Sequence, residues 1–367
     1  MKIQKKQFLT IGATDSRRVQ FWNKALQQKE ISANLLTYQQ IITDTLPKIT
    51  VPTALRITST GENFDLWKSI LKIGDCPHSE ELVFEKGLIY PNPYWYRGWC
   101  KILQRIADFI GENPLLQPIN SPASIQLAFH KLKCQQLLNE QGIQTPKIIL
   151  ARVASYDALI EKLQKEKIHQ VFIKPYHGSS ASGVMAFRQA NGKQMLYTTI
   201  QLKRGKLYNN LRLQKYHSLT QIKTIINKML PSDLMVEEWI RKKTFQEKSV
   251  DFRILVINGK AAFIVPRMSK HFITNLHLGN EKGQVEIVKQ AWGAALIQAA
   301  KTLAIKAVNA IGGLFYAGVD VAISAKGIPY ILEVNAFGDM LLNIHQDGLT
   351  TYEYELKEWI NKPAGSI

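Results

Sequence analysis

Residues 317–340, AGVDVAISAKGIPYILEVNAFGDM, constrain the fold more than any other stretch of the chain. Residues 319–323 and 328–334 are mostly β-branched and apolar, and Ser324-Ala325-Lys326-Gly327 between them has the composition of a turn, so two antiparallel strands are expected. A four-residue connection sets Asp320 opposite Ile331. Side chains alternate with a period of two, which puts Ile331, Glu333 and Asn335 on one face and Asp320 across the strand pair from them. Two carboxylates and an amide oxygen then converge. Hard oxygen ligands too few to fill an octahedron suit Mg²⁺ whose remaining positions go to water and phosphate. The same residues also fit an ordinary hairpin with a solvated polar face, so the choice rests on the rest of the chain.

The 367 residues are enough for two or three domains, and 46% apolar with 21% charged residues is the balance of a globular protein. Basic residues precede a short apolar run at 8–13, which is too short for a signal-peptide core or a membrane span and is expected to be a buried strand. Cys76, Cys100 and Cys134 show no CxxC spacing and no clustered histidines, so a cytoplasmic setting is expected and a zinc site is not. The net charge of +18 raises nucleic acid, an anionic surface or an acidic substrate as partners. Much of it collects between residues 196 and 231, where Lys203, Arg204, Lys206, Arg212, Lys215, Lys223 and Lys228 occur without an Asp or Glu. A solvated face explains such a run as well as a binding site does.

From residue 8 to about 120, apolar strands (8–11, 33–36) alternate with helical stretches (16–28, 96–111), which predicts an open α/β layer domain. Gly12 follows the first strand without a GxGxxG pattern, so dinucleotide binding is not supported. The aromatic run 90–100, YPNPYWYRGWC, holds two prolines and is expected to be a packed loop beneath a helix. Ser121 and Pro122 open a helix over 123–141 that Gly142 closes, with Lys131 and Lys133 off its apolar face. Residues 171–175 form a strand ending in Lys174-Pro175, followed by a small-residue loop (Gly178, Ser179, Ser180, Ala181, Ser182, Gly183) and a second strand. Small residues let backbone N–H groups approach phosphate oxygens, but Val184-Met185 stand where a P-loop carries Lys and Ser or Thr, so that motif is excluded. Residues 234–240, LMVEEWI, are strand-like and precede the basic cluster Arg241-Lys242-Lys243. Asn258-Gly259 is a two-residue hairpin signal joining a strand with Asp251 and Arg253 on one face to a return strand that ends at Arg267. Helices are expected at 292–312 and 350–361.

Five ordered blocks, HKLKCQQLLNEQGIQTP, VFIKPYHGSSASGV, MVEEWI, DFRILVINGKAAFIVPRMSK with FITNLHLGN, and GVDV with ILEVN, resemble the ATP-grasp superfamily of carboxylate-amine ligases. The branch they resemble most holds the ribosomal-protein glutamate ligase and the glutathione synthetase-like enzymes, and the likeness covers about residues 121–340. It implies a two-lobed α+β fold sandwiching ATP after an N-terminal open α/β domain, divided as 1–120, 121–235 with the glycine-rich loop and basic insertion, and 236–367 with the metal site. It also implies phosphate binding by Lys131 and Lys174 under a loop of Gly178, Ser179, Ser180 and Gly183, and an adenine and ribose hinge at Glu237, Glu238, Trp239 and Ile240. Asp320, Glu333 and Asn335 match the Mg²⁺ ligands, with two ions implied, and Arg253, Arg267 and Asn275 match the catalytic positions. The implied reaction is attack of a carboxylate on the γ-phosphate of ATP to give an acylphosphate and ADP, then displacement of phosphate by an amine. No protein nucleophile is needed, since the problem is to align and neutralise anions.

Departures fall mainly on the substrate side. His130 stands in place of the acid of an Asp-Lys pair, Ile273 where the nearest relatives carry an arginine, and Ala336-Phe337-Gly338-Asp339 where a Pro-Gly turn is usual. The interval from glycine loop to hinge is about twenty-five residues longer and coincides with the basic stretch. The expected partner is an amino acid or acidic peptide guided by Lys203, Arg204, Lys206, Arg212 and Lys215; no membrane is expected, nucleic acid is disfavoured, and homo-oligomerisation stays open. A peptide macrocyclase and a non-catalytic ATP-binding regulator are the alternatives.

Overall fold

The computed structural model describes residues 7–90, 92–178, 182–274 and 279–362, arranged around three sheets. The first has parallel strands β1 (Gln7–Gly12), β2 (Ala33–Thr37), β3 (Thr53–Ile57) and β4 (Leu116–Pro118) in the order β2-β1-β3-β4. Every residue of β3 is buried, as in a parallel strand covered on both faces. Helices α1 (Arg17–Gln27), α2 (Tyr38–Ile42), α3 (Phe64–Ile73) and α4 (Asn92–Glu112) accompany it. Residues 92–100 of the aromatic run expected to be a loop are the first turns of α4. Two glycines explain the difference: a Cβ on Gly98 would lie 1.9 Å from the Ile70 carbonyl oxygen, and one on Gly74 would lie 1.9 Å from that of Tyr94. Thus α3 and α4 cross backbone against backbone, and the surrounding rings pack around the crossing.

The single helix expected over 123–141 is two, α5 (Pro122–Phe129) and α6 (Lys131–Glu140). His130 breaks it at φ −96°, ψ 88°, and its Nδ1 accepts from the Lys133 N–H at 3.4 Å. The Lys131 N–H bonds instead to the Tyr176 carbonyl at 2.9 Å. This break turns Lys131 from a helix flank toward the next sheet.

That second sheet has the order β5-β10-β6-β7-β8-β9, from β5 (Ile148–Leu150), β6 (Gln170–Pro175), β7 (Met185–Ala190), β8 (Lys193–Lys203), β9 (Lys206–Tyr216) and β10 (Leu234–Glu238). Helices α7 (Tyr156–Lys165) and α8 (Leu219–Met229) pack on it through Leu159, Leu163, Ile222, Ile225 and Ile226. The acid-free basic stretch is therefore the outer strand pair β8–β9, turned at Arg204-Gly205 with φ of 48° and 74°, together with α8. Its edge is partly covered: Ile89 N donates to Leu207 O at 2.9 Å, Asn209 N to Gly87 O at 2.7 Å, and Lys206 pairs with Glu85 at 2.8 Å.

The third sheet has the order β14-β13-β12-β15-β16 with β11 added to β12. Its strands are β11 (Thr244–Phe245), β12 (Lys248–Ile257), β13 (Lys260–Ser269), β14 (Glu281–Lys282), β15 (Tyr316–Ile323) and β16 (Pro329–Asn335). The Asn258-Gly259 turn has φ of 49° and 71°, the left-handed pair that a two-residue hairpin needs. Helices α9 (Val285–Trp292) and α10 (Ala294–Ile311) lie behind it, parted at Gly293 rather than continuous from residue 292. Helix α10 has the length and apolarity to cross a membrane, with mean hydropathy 1.2, but Ile297, Ala300, Ala304, Ala307 and Val308 pack on the sheet while Gln298 and Lys306 are exposed. Helix α11 (Thr351–Ile360) opens with a Thr350–Glu353 capping box and returns to the first sheet, where Glu355 meets Arg56.

Candidate active site

A cleft between the second and third sheets gathers the charged residues. Along β6, Val171, Ile173 and Pro175 are buried, so Phe172 and Lys174 share the opposite face. Lys174 forms an ion pair with Glu237 on neighbouring β10. Glu237 is buried, and desolvation pushes its carboxyl above the usual range despite the pull of Lys174. Lys131 reaches the same space: its Nζ donates to Glu333 Oε1 at 2.8 Å and to the Gly178 carbonyl at 2.7 Å.

The acidic platform differs from its expected register. Asp320 pairs with Glu333, not Ile331, because a β-bulge takes up Leu332 and resets the ladder so that Val321 faces Ile331. Ile331 turns into the apolar core with Val319, Val321 and Val334. Glu333 and Asn335, opposite Asp320 and Gly318, lie on the other face with Asp320. Like charges set directly opposite one another are unfavourable. Cations offset them here: Arg253 Nε lies 2.9 Å from Asp320 Oδ1, Arg267 Nη2 3.0 Å from Asp320 Oδ2, and Lys131 holds Glu333. Burial, joined by the charges of Asp251 and Glu333, still pushes the Asp320 carboxyl up, whereas for Glu333 burial is outweighed by Lys131, Lys174 and Arg253 together, which draw its carboxyl down.

The Arg253–Asp320 contact is short but poorly aligned, and both Arg253 Nε and Asp320 Oδ1 lack a hydrogen-bond partner. An orphaned buried carboxylate oxygen beside a second carboxylate fits a hard cation. Asn335 completes the set with one lone pair to spare, since its Oδ1 accepts only the Phe337 N–H, at 3.0 Å, among the described hydrogen bonds. No group of three or more His, Cys, Asp or Glu side chains is gathered as a metal site among the described residues.

Deeper in the cleft, a second bulge, between Leu255 and Val256, puts Asp251 opposite Arg267. Arg267 Nε donates to Asp251 Oδ1 at 2.7 Å, while Lys242 Nζ and the Thr274 hydroxyl engage Oδ2. These partners outweigh burial and hold the Asp251 carboxyl down at about 2. Burial lowers the Lys242 ammonium from its usual value, and Asp251 and Asp320 raise the Arg267 guanidinium above its own.

A family model described as YheC/D like ATP-grasp matches residues 123–349. The chain belongs to the YheC/D-like ATP-grasp family. Over 221 residues it is 27% identical to a probable alpha-L-glutamate ligase of Serratia proteamaculans, covering 60% of this chain and 59% of that one. It is 28% identical over 221 residues to a ribosomal protein bS6–L-glutamate ligase of Salmonella newport, with the same coverage of 60% and 59%. The match thus spans little more than half the length of these relatives. A D-cycloserine synthetase superposes with a TM-score of 0.56 at 12% identity, covering 96% of this chain and 99% of that one. A D-alanine–D-alanine ligase from Bacillus anthracis complexed with ATP gives 0.52 at 14% identity, covering 93% and 89%. Both show the ATP-grasp fold.

Within this ATP-grasp cleft the structure brings together Lys131, Lys174, Glu237, Arg253, Arg267, Asp320, Glu333 and Asn335. Ile240 lines the wall next to them, and Trp239 packs at a tilt in an aromatic group with Phe172 at 4.9 Å and Phe272 at 4.4 Å. Glu238 also lines the cleft but is exposed, and its N–H is occupied by the Lys147 carbonyl at 2.9 Å. Gly183 has φ +74°, a conformation that favours glycine. Ser179, Ser180 and Asn275 lie outside the described residues. Sequence reasoning left Lys242, Thr274 and Phe272 unassigned. Lys242 was hidden in a run of three cations, and only the fold shows that it alone of the three reaches Asp251.

Proposed function

We propose that this chain is an ATP-dependent ligase that joins a carboxylate to an amine through an acylphosphate, releasing ADP and phosphate. The observation that carries the reading is the convergence in one cleft of two lysines, two arginines and a carboxylate pair with an unsatisfied oxygen. Lys131 and Lys174 are each held against a carboxylate that a phosphate oxygen can replace, and the family resemblance assigns the segment from Gly178 to Gly183 the role of shielding the acylphosphate from water. The wall from Glu237 to Ile240 receives the adenosine. Asp320, Glu333 and Asn335 hold Mg²⁺, which when bound neutralises phosphate oxygens; we infer two ions. Arg253 and Arg267 align the substrate carboxylate and stabilise the charge that develops during transfer, and Asn275 is assigned a catalytic role on the family resemblance alone. The units 1–120, 121–235 and 236–367 are proposed as pre-ATP-grasp domain and two lobes.

The proposed carboxylate is an amino acid or an acidic peptide. Support comes from the outer hairpin: Lys215 sits 5.5 Å above the Tyr197 ring, which touches Phe272 of the cleft at 4.8 Å. One β9 cation, Lys215, is therefore linked to the cleft wall through the Tyr197 and Phe272 rings. Lys206 contributes less than expected, being paired with Glu85. The free thiols Cys76, Cys100 and Cys134 suit a reducing, cytoplasmic setting.

The test is substrate-dependent nucleotide turnover, screening amino acids and acidic peptides with ATP and Mg²⁺. ADP and phosphate are expected; AMP and pyrophosphate would remove the acylphosphate mechanism. Product mass separates ligation of an added unit from cyclisation, which loses water within one chain.

A further inference from the structure

The loop that follows the metal strand carries a carboxylate that the reaction above does not use. Gly318 and Gly338 leave a passage for the Arg253 side chain: a Cβ on Gly318 would lie 2.9 Å from Arg253 Nη1 and 3.3 Å from the Gly338 carbonyl carbon. Next to it, Asp339 Oδ2 stands 3.7 Å from Arg253 Nε, with 31% of its side chain exposed. The loop is firmly held. Asp339 Oδ1 accepts from the Leu341 N–H at 3.2 Å, Arg18 Nη1 donates to the Phe337 carbonyl at 2.7 Å, and Asn120 Nδ2 donates to that of Ala336 at 2.8 Å. The Phe337 ring packs against Phe129 at 5.5 Å and Trp99 at 6.3 Å.

The neighbouring carboxylates are committed. Asp251 is saturated by Arg267, Lys242 and Thr274, and Asp320 and Glu333 form the cation platform. Asp339 is partly exposed, has no lysine partner among the described residues, and stands 3.7 Å from Nε of the arginine assigned to the acyl group.

We propose that Asp339 docks the ammonium of the incoming nucleophile and accepts its proton, so that the acceptor is a primary aliphatic amine, cationic at neutral pH. The inference deepens the ligase reading and rests on it. Two guanidinium groups surround the acyl centre and repel a cationic amine, so a carboxylate beside them is needed to admit it. Attack also needs a free lone pair. One ammonium proton passes to Asp339. The amine nitrogen then bonds to the carbonyl carbon of the acylphosphate, the carbon–oxygen bond to phosphate breaks, and the second proton leaves with hydrogen phosphate. Asp339 later returns its proton to water. No oxidant or further reactant is required.

The experiment compares two nucleophiles on the full chain with ATP, Mg²⁺ and a panel of amino acids and acidic peptides as carboxylate donors. Hydroxylamine, neutral at neutral pH, reports acylphosphate as hydroxamate; the amino acids themselves, as acceptors, arrive as ammonium ions. Asp339→Asn is expected to lower the ratio of amide to hydroxamate formation about tenfold or more, with the loss mainly in KM for the amine, and Asp339→Glu to restore part of it. Equal loss of both products would overturn the proposal and leave Asp339 as a prop for Arg253. An unchanged ratio would overturn it as well. Absence of hydroxamate from the unsubstituted chain across the panel would instead overturn the ligase reading, and this inference with it.

Discussion

Two buried arginine–carboxylate clusters in this molecule use the same chemistry to different ends. On the first sheet, Arg56 Nη2 lies 2.9 Å from Glu355, with 2% and 4% of the two side chains exposed. The guanidinium carbon lies 4.2 Å from the Trp22 ring centre, 4.4 Å from that of Tyr316 and 5.0 Å from that of Tyr352. Its Nε and Nη1 have no hydrogen-bond partner and are walled by π faces, which leaves no room for a ligand. In the cleft, by contrast, Arg253 and Arg267 share Asp320 and also contact Asp339 and Asp251. Each arginine has a second carboxylate, and one oxygen of the shared acid is left unsatisfied. A sealed one-to-one pair fixes a helix to a sheet. A shared, incompletely bonded set is arranged to take a further charge.

The largest expected effect that sharpens this contrast is in the cleft. Asp320→Asn should lower ATP-dependent turnover by about 10²–10³-fold, measured as ADP release. Its unfolding midpoint should move little, because Arg253 keeps Asp339 and Arg267 keeps Asp251. The mirror-image substitution is Arg56→Leu. Leaving Glu355 buried without its cation should cost about 3–5 kcal/mol of stability in denaturant titrations. Adding Glu355→Leu should recover much of that loss, while the folded fraction keeps its affinity for ATP. If Arg56→Leu instead removed activity at unchanged stability, the distinction between the clusters would collapse.

Between the two regions lies a pair of histidines. Tyr96 of α4 stacks on His177 at 3.7 Å, Asn92 Nδ2 donates to the His177 carbonyl at 3.0 Å, and His130 packs edge-on at 4.7 Å. Burial, before neighbouring positive charge, lowers His130 to about 4 and His177 to about 3. Below about pH 6.5 the unfolded chain takes up protons that these folded imidazoles refuse, so stability is complete above that pH and falls as pH drops toward 4. A loss of about 5 kcal/mol from pH 7 to pH 4.5 is expected, roughly halved in His177→Gln. The same slope in wild type and variant would dismiss the pair as its source. The smallest effect belongs to the outer hairpin. Reversing Arg212 and Lys215 to Glu should raise KM for an acidic carboxylate substrate by about two- to fivefold at low salt, with little change at high salt. Unchanged kinetics at low salt would discard the guidance role.

Much of this architecture is legible in the sequence where a local signal and the tertiary contact agree. Asn258-Gly259 specifies a hairpin, and alternation on β6 points Lys174 away from the core. The ordered blocks identify the family before any single site residue does. What is not legible depends on distant partners. The bulges at Leu332 and between Leu255 and Val256 carry no Gly or Pro, yet they set which carboxylate faces which cation. Helix propensity runs unbroken through His130, and only the Tyr176 carbonyl, waiting for the Lys131 N–H, shows why the chain stops there. The aromatic run at 90–100 reads as a loop by its prolines, whereas the Gly74–Gly98 crossing makes its residues 92–100 a helix. Lys206 reads as a free cation until Glu85, more than a hundred residues earlier, is found against it.

The central claim, that the cleft phosphorylates a carboxylate, is tested most directly by the fate of oxygen. With a substrate labelled with ¹⁸O in its carboxylate, each turnover should place one labelled oxygen in the released phosphate, alongside ADP. Unlabelled phosphate, or label in AMP, would contradict it.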